Sequence, residues 1–188
     1  MHHSAYVNCE KFVNKYCHCL VGKKVLDVGS YNVNGTLKPL FETSEYIGLD
    51  VAPGPNVDIL LRAHKIPFTD NYFDIVISSS CFEHDDMFWE TFLEMCRVTK
   101  PDGLIYIQVP SNGPYHGYPV DNWRFYLDSW KALEKWGRHK TYDITLIEHY
   151  IDATTCEFWN DSIGIYRKNF STVHLTPTPP ATLNRRAN

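Results

Sequence analysis

Two carboxylates and a glycine carry the first chemical signal. Asp27 and Gly29 lie at the end of the apolar run "KVLDV", where the loop "GSYNVNG" begins, and Asp50 closes the next apolar run, "EYIGLD". A glycine at the carboxyl end of a strand lets a ligand come close to the backbone where a side chain would obstruct it. A carboxylate at the end of the following strand can accept two hydrogen bonds from the vicinal hydroxyls of a ribose. The gap from Asp27 to Asp50 is 23 residues, near the ~20 expected of such a unit. Both signals therefore describe one nucleoside site.

The loop spelling narrows the cofactor. A phosphate loop of the Walker type needs Gly-Lys-Ser/Thr, and Gly35 is followed by Thr36. A dinucleotide fingerprint needs closely spaced glycines, and Tyr31 and Val33 occupy that stretch. S-adenosylmethionine has no phosphate. It requires room for its amino-acid end beside the loop, a carboxylate for the ribose and a slot for adenine, and these departures suit it best.

A second constellation is "VPSNGPYHGYPVDNWRF", residues 109–125, which follows a strand. A loop in that position lies over the reacting group of a cofactor bound at the strand ends. His116 and Asp121 are the residues there that can take a proton, and Tyr115, Tyr118 and Arg124 can hold a substrate. Trp123 and Phe125 are expected to pack.

These residues need a scaffold of strands whose ends converge. Apolar runs at 24–28, 45–50, 57–61, 73–80, 103–110, 143–151 and 157–168 read as seven strands. The early ones are nearly continuous in apolar character, as in a parallel sheet covered on both faces. Helical periodicity is present at 5–20, 86–100 and 126–137, the last with Asp128 as N-cap and Gly137 as its stop. The expected fold is α/β: a single doubly wound Rossmann-like domain with a mostly parallel seven-stranded sheet and an antiparallel edge. The expected organisation is an N-terminal helix at 1–20, the domain at 21–170 and a Pro- and Thr-rich tail at 171–188.

Bulk properties restrict the partners. A net charge of −4 with no basic block argues against nucleic acid and anionic membranes. No apolar run reaches the length of a membrane span and no leader pattern opens the chain, so a cytoplasmic protein is expected. Six cysteines are present, three of them (Cys9, Cys17 and Cys19) near the start, but no second ligand pair follows, so free thiols and no metal are expected.

The ordered blocks "VLDVGS…NG", "YIGLDVAPGPNVDIL", "AHKIPFTDNYFDIVISSSCFEH" and "EMCRVTKPDGLIYIQVP" resemble the class I S-adenosylmethionine-dependent methyltransferases, in the methyltransferase-11-like branch, from about Lys24 to Phe125. The resemblance implies that Asp27, Gly29 and Ser30 line the methionyl end, with Asn34 and Gly35 turning the loop into a helix. It implies that Asp50 holds the ribose, Val51 lies against adenine and Ala63 and His64 reach the adenine edge. Ser79 and Ser80 would lie beneath the sulfonium, and Glu83-His84 matches a pair that often follows the fourth strand, with His84 on the substrate side. The activity implied is methyl transfer to an oxygen or nitrogen of a small molecule or sugar-like acceptor, in a chain that can form homo-oligomers. The alternatives are a non-catalytic S-adenosylmethionine-binding protein and a nicotinamide-dependent oxidoreductase.

Overall fold

The computed structural model describes residues 3–153 and 159–170. Its strands are β1 (Lys24–Val28), β2 (Glu45–Asp50), β3 (Ile59–Leu60), β4 (Phe73–Ser79), β5 (Thr99–Pro110), β6 (Ile144–Asp152) and β7 (Asp161–Lys168). Its helices are α1 (His3–Tyr16), α2 (Phe88–Val98) and α3 (Leu127–His139). The strands form one sheet in the order β3-β2-β1-β4-β5-β7-β6. The first five are mutually parallel, and β7 runs antiparallel to both β5 and β6. The seven-stranded α/β sheet with an antiparallel pair at one side is thus the expected one.

Alternation along the strands divides the core between two faces. Leu26, Val28, Val76, Ile105 and Ile107 face α2 and α3, where they meet Phe92, Met95, Trp130 and Leu133. Val25, Ile75, Ile77 and Tyr106 face the other way, onto Cys9 and Phe12 of α1 and Leu37 and Phe41 of a short 3₁₀ turn. Helix α1 therefore covers a sheet face. No residue of α1 lines the cavity at the ends of the parallel strands.

Three local expectations change. No α-helix follows the first loop, because the short segment before β2 contains Pro39 and closes only the 3₁₀ turn Lys38–Phe41. Asp128 is not a cap: the N-cap is Tyr126, without a side-chain hydrogen bond. Gly137 does not stop α3; it is buried inside the helix, where a Cβ would lie 2.6 Å from Ile144 Cδ1 on β6. Its missing side chain lets helix and sheet approach. Pro101–Gly103 form a bulge within β5, with Asp102 at φ 64°. The tail at 171–188 and Cys156 lie outside the described residues.

The end of α2 has an unusual cap. The Lys168 ammonium donates to the carbonyls of Cys96, Arg97 and Thr99 at 2.8, 3.2 and 2.8 Å. It reaches from the end of β7 to carbonyls at the end of α2 and the start of β5, of which that of Arg97 also accepts the Asn71 amide. Lys168→Met keeps the stem and removes the donors, and is expected to cost about 1–3 kcal/mol. Urea unfolding of the two proteins measures it; equal midpoints would refute the capping role.

Candidate functional site

The site begins where β1 ends. Gly29 has φ +84°, and a Cβ there would stand 2.5 Å from Cys81 Cβ. A side chain would be both strained and in collision, so only glycine lets the loops after β1 and β4 touch. The Gly29 amide donates to Leu49 O at 2.9 Å, which ties the loop to β2 as well. Farther along, Gly35 N donates to Asn32 Oδ1 at 2.8 Å, a side-chain turn that bends the loop back.

Asp50 joins two loops. Its Oδ2 accepts the Tyr31 amide and its Oδ1 the Ala52 amide, each at 3.0 Å. Each carboxylate oxygen has two lone pairs, so one remains on each oxygen for an outside donor. Tyr31 in turn packs on Gly54, where a Cβ would meet its ring at 2.0 Å. The carboxylate is held with its free lone pairs fixed in space.

These loops enclose a cavity of about 650 Å³. β1, β2 and the loops after them contribute Asp27, Gly29, Ser30, Asn34, Gly35, Asp50 and Val51 to its lining, and β4 with the segments after β4 and β5 contributes Ser79, Ser80, Cys81, Glu83, His84, His116 and Tyr118. Asp27 is buried and accepts a hydrogen bond from Tyr46 OH. Burial pushes its carboxyl up to about 7, against the lowering effect of that hydrogen bond. Glu83 is also buried, neither of its carboxylate oxygens has a hydrogen-bond partner among the described residues, and burial pushes it up to about 8. Ser79 Oγ is buried without a partner on the same wall. A smaller cavity of about 490 Å³ between α2 and α3 is lined chiefly by Phe88, Trp89, Trp123 and Trp136. It offers no group for acid–base work, because Arg124 turns its guanidinium to Asp121.

A family model described as a methyltransferase domain matches residues 26–107, the span from β1 through most of β5. Over that span the chain is similar to methyltransferase domains. An uncharacterized methyltransferase of Mycobacterium leprae is 33% identical over an alignment of 115 residues, which covers 53% of this chain and 42% of that protein. The chain thus spans less than half the length of that relative. Among solved structures, the 1,6-didemethyltoxoflavin-N1-methyltransferase of Burkholderia thailandensis, with S-adenosylhomocysteine bound, aligns at TM-score 0.69 and 15% identity. That alignment covers 89% of this chain and 79% of the neighbour. The [4+2]-cyclase SpnF aligns at TM-score 0.64 and 13% identity, covering 86% and 80%. At such identities the likeness is one of fold.

Several expected site residues lie away from this cavity. His64 is bound through Nε2 to Asp85 Oδ1 at 2.7 Å and Ala63 is packed in the core, and neither lines the cavity. Asp85 holds His64 because it also gathers the Thr91 hydroxyl and the Met87 amide at the start of α2. Ser30 lines the cavity, but its hydroxyl donates to Asn56 O at 3.1 Å and so ties loops together. Tyr115 is 76% exposed and outside the cavity. Phe125 is in the core as expected, whereas Trp123 is partly exposed, its indole N–H donating to Asp85 O at 2.8 Å.

Asp121 and Arg124 are reassigned from acid–base and substrate work to support. The guanidinium donates through Nη1 and Nη2 to the two oxygens of Asp121, whose side chain is 1% exposed. Oδ2 also accepts the His116 amide at 2.8 Å. The Arg124 hydrogen bonds hold Asp121 well below the usual carboxylate range, which makes it a poor base. Its place is behind His116, whose Nδ1 lies 3.1 Å from Oδ2. Sequence reading ranked Glu83 only as half of a common pair and passed over Trp159, whose ring meets His116 edge-on at 4.7 Å between centroids. The Glu-His pairing was the available signal for Glu83; nothing local marked Trp159.

A carboxyl lowered in the folded state stabilises it above the unfolded value near 3.8, and that contribution is lost as pH falls through the lower folded value. Arg124→Gln leaves Asp121 buried and unpaired, at about 3 kcal/mol. Acid titrations of stability are expected to show a loss below pH ~4 in the parent that is much reduced in the variant. Superimposable acid limbs would refute the pairing.

Proposed function

We propose that this domain binds S-adenosylmethionine and transfers its methyl group to an oxygen or nitrogen of a small-molecule acceptor. The observation that carries the reading is the pair of free lone pairs on Asp50, fixed by the Tyr31 and Ala52 amides at the mouth of a cavity with buried carboxylates. In this reading Asp50 takes the ribose hydroxyls, Val51 lies against the adenine, and Asp27 faces the cofactor's amino-acid end beside Gly29, Asn34 and Gly35. Ser79 and Ser80 lie beneath the sulfonium.

The cofactor, when bound, supplies a methyl already activated on sulfur. The chain's work is alignment and exclusion of water. Holding acceptor and methyl in line supplies several kcal/mol, of order 7–11 in favourable cases. Tyr118, Pro119 and Trp159 close the cavity on the loop side. Glu83, His84 and His116 stand opposite Asp50 and meet the acceptor's polar end. The cavity volume of about 650 Å³ suits a nucleoside cofactor and a small acceptor. The acidic chain supports a substrate other than nucleic acid.

Calorimetric titration with S-adenosylhomocysteine, NAD and ATP tests the cofactor. Binding of the homocysteine compound alone, weakened at least tenfold by Asp50→Ala, is expected; preference for NAD would overturn the reading. Asp27 gives a pH test. Its carboxyl, raised to about 7 by burial, must ionise to pair with the cofactor's ammonium. Affinity should therefore fall about tenfold per unit below pH ~7. In Asp27→Asn the same titration should be flat; a slope retained there would remove Asp27 from that role.

A further inference from the structure

Three potential ligands converge on the cavity wall. Glu83, His84 and His116 each offer one ligand atom, and these atoms all lie within 4.8 Å of one another. Glu83 Oε1 and His84 Nε2 are 3.7 Å apart. Donors around one transition-metal ion, with bonds of ~2.1 Å, stand ~3–3.5 Å apart. The Glu83–His84 spacing is thus close to that of a filled site, and no spacing in the cluster exceeds 4.8 Å.

The surroundings prepare each group. His84 Nδ1 is 2.6 Å from Val120 O, so that nitrogen carries the proton and Nε2 keeps its lone pair for a ligand. His116 has Nδ1 3.1 Å from Asp121 Oδ2, and no described residue partners its Nε2. Val120 O thus stands behind the His84 imidazole as the usual support of a metal-binding histidine, whereas His116 Nδ1 faces both Asp121 Oδ2 and, at 3.4 Å, the Arg124 guanidinium. Glu83 is fully buried and neither oxygen has a hydrogen-bond partner among the described residues, a state that costs free energy unless something positive fills the space in front of it. The Asn122 amide donates to Glu83 O at 2.7 Å and so fastens the His116-bearing loop to the Glu83–His84 segment.

We propose that Glu83, His84 and His116 form a divalent transition-metal site on the acceptor side of the cavity. Two imidazoles and one carboxylate suit Mn²⁺, Fe²⁺, Co²⁺ or Zn²⁺ and leave coordination positions open. The site lies among polar groups already in place, and the cysteines have no part in it. Its role in catalysis rests on the methyl-transfer reading; its existence does not. In that role the ion takes a hydroxyl oxygen of the acceptor and lowers its pKa, so that the proton passes to solvent water. The oxygen lone pair then forms the new C–O bond while the C–S bond pair returns to sulfur, leaving a thioether. The acceptor class is a hydroxyl compound small enough to reach the ion.

The test uses the full chain, stripped with a chelator and titrated with Mn²⁺ alone. Loss of the free-ion paramagnetic resonance signal counts bound ions, and Co²⁺ absorption reports the coordination. One ion per chain is expected, with affinity at least tenfold weaker in Glu83→Gln and in His116→Gln. Both variants are to be checked by circular dichroism and by S-adenosylhomocysteine affinity, which should stay within twofold. A chain that binds S-adenosylhomocysteine but no ion overturns the metal site, and so does ion binding that both variants leave unchanged. Stoichiometric ion binding without S-adenosylhomocysteine binding upholds the metal site and removes the methyl-transfer reading.

Discussion

The molecule depends on a reversal of strand order between β1 and β4. From β1 the chain moves outward to β2 and β3, then returns to lay β4 against the other side of β1. The loops that follow β1 and β4 therefore leave the sheet in opposite directions, and the space between them stays open. Gly29 and Cys81 are the point at which the two loops still touch, so the opening has a floor. A side chain at residue 29 would push the loops apart and change the shape of everything above.

The opening is closed by a loop that belongs to neither of those strands. Residues 111–126 leave β5 and dock on the segment after β4 through backbone bonds from Asn122 and Trp123 to Glu83 O and from the Trp123 indole to Asp85 O. The Asp121–Arg124 pair fixes the inside of this loop, with the Pro114 carbonyl as a further acceptor for Arg124 at 2.9 Å. A buried ion pair of this kind adds little net stability, but it dictates one arrangement, because every alternative leaves a charge alone. That arrangement sets His116 beside His84, their rings 4.9 Å apart.

Charge in the cavity is unbalanced. Asp27 and Glu83 are both buried on its walls, and burial is the main reason that each holds its proton up to about 7 and about 8. Arg124 is already committed to Asp121. Such a cavity favours a cationic occupant, since a positive charge lets both carboxyls ionise and recovers part of their desolvation cost. A sulfonium cofactor and a divalent ion both meet that requirement.

The sequence by itself determined the sheet and one half of the site. Strand positions at 24–28 and 45–50 were legible because burial on both faces leaves continuous apolar runs, and Gly29 and Asp50 were legible because they sit where those runs end. Only the tertiary structure decided the other half. His64 was reachable by pattern but is held by Asp85, Gly137 looked like a helix end but admits Ile144, and Asp121 looked like a base but is neutralised three residues away. Residue patterns record solvent exposure and local turns; they do not record which loop docks on which. The meeting of Glu83 and His84 with His116, more than thirty residues farther along, comes from such a docking, and its chemistry is visible only in three dimensions.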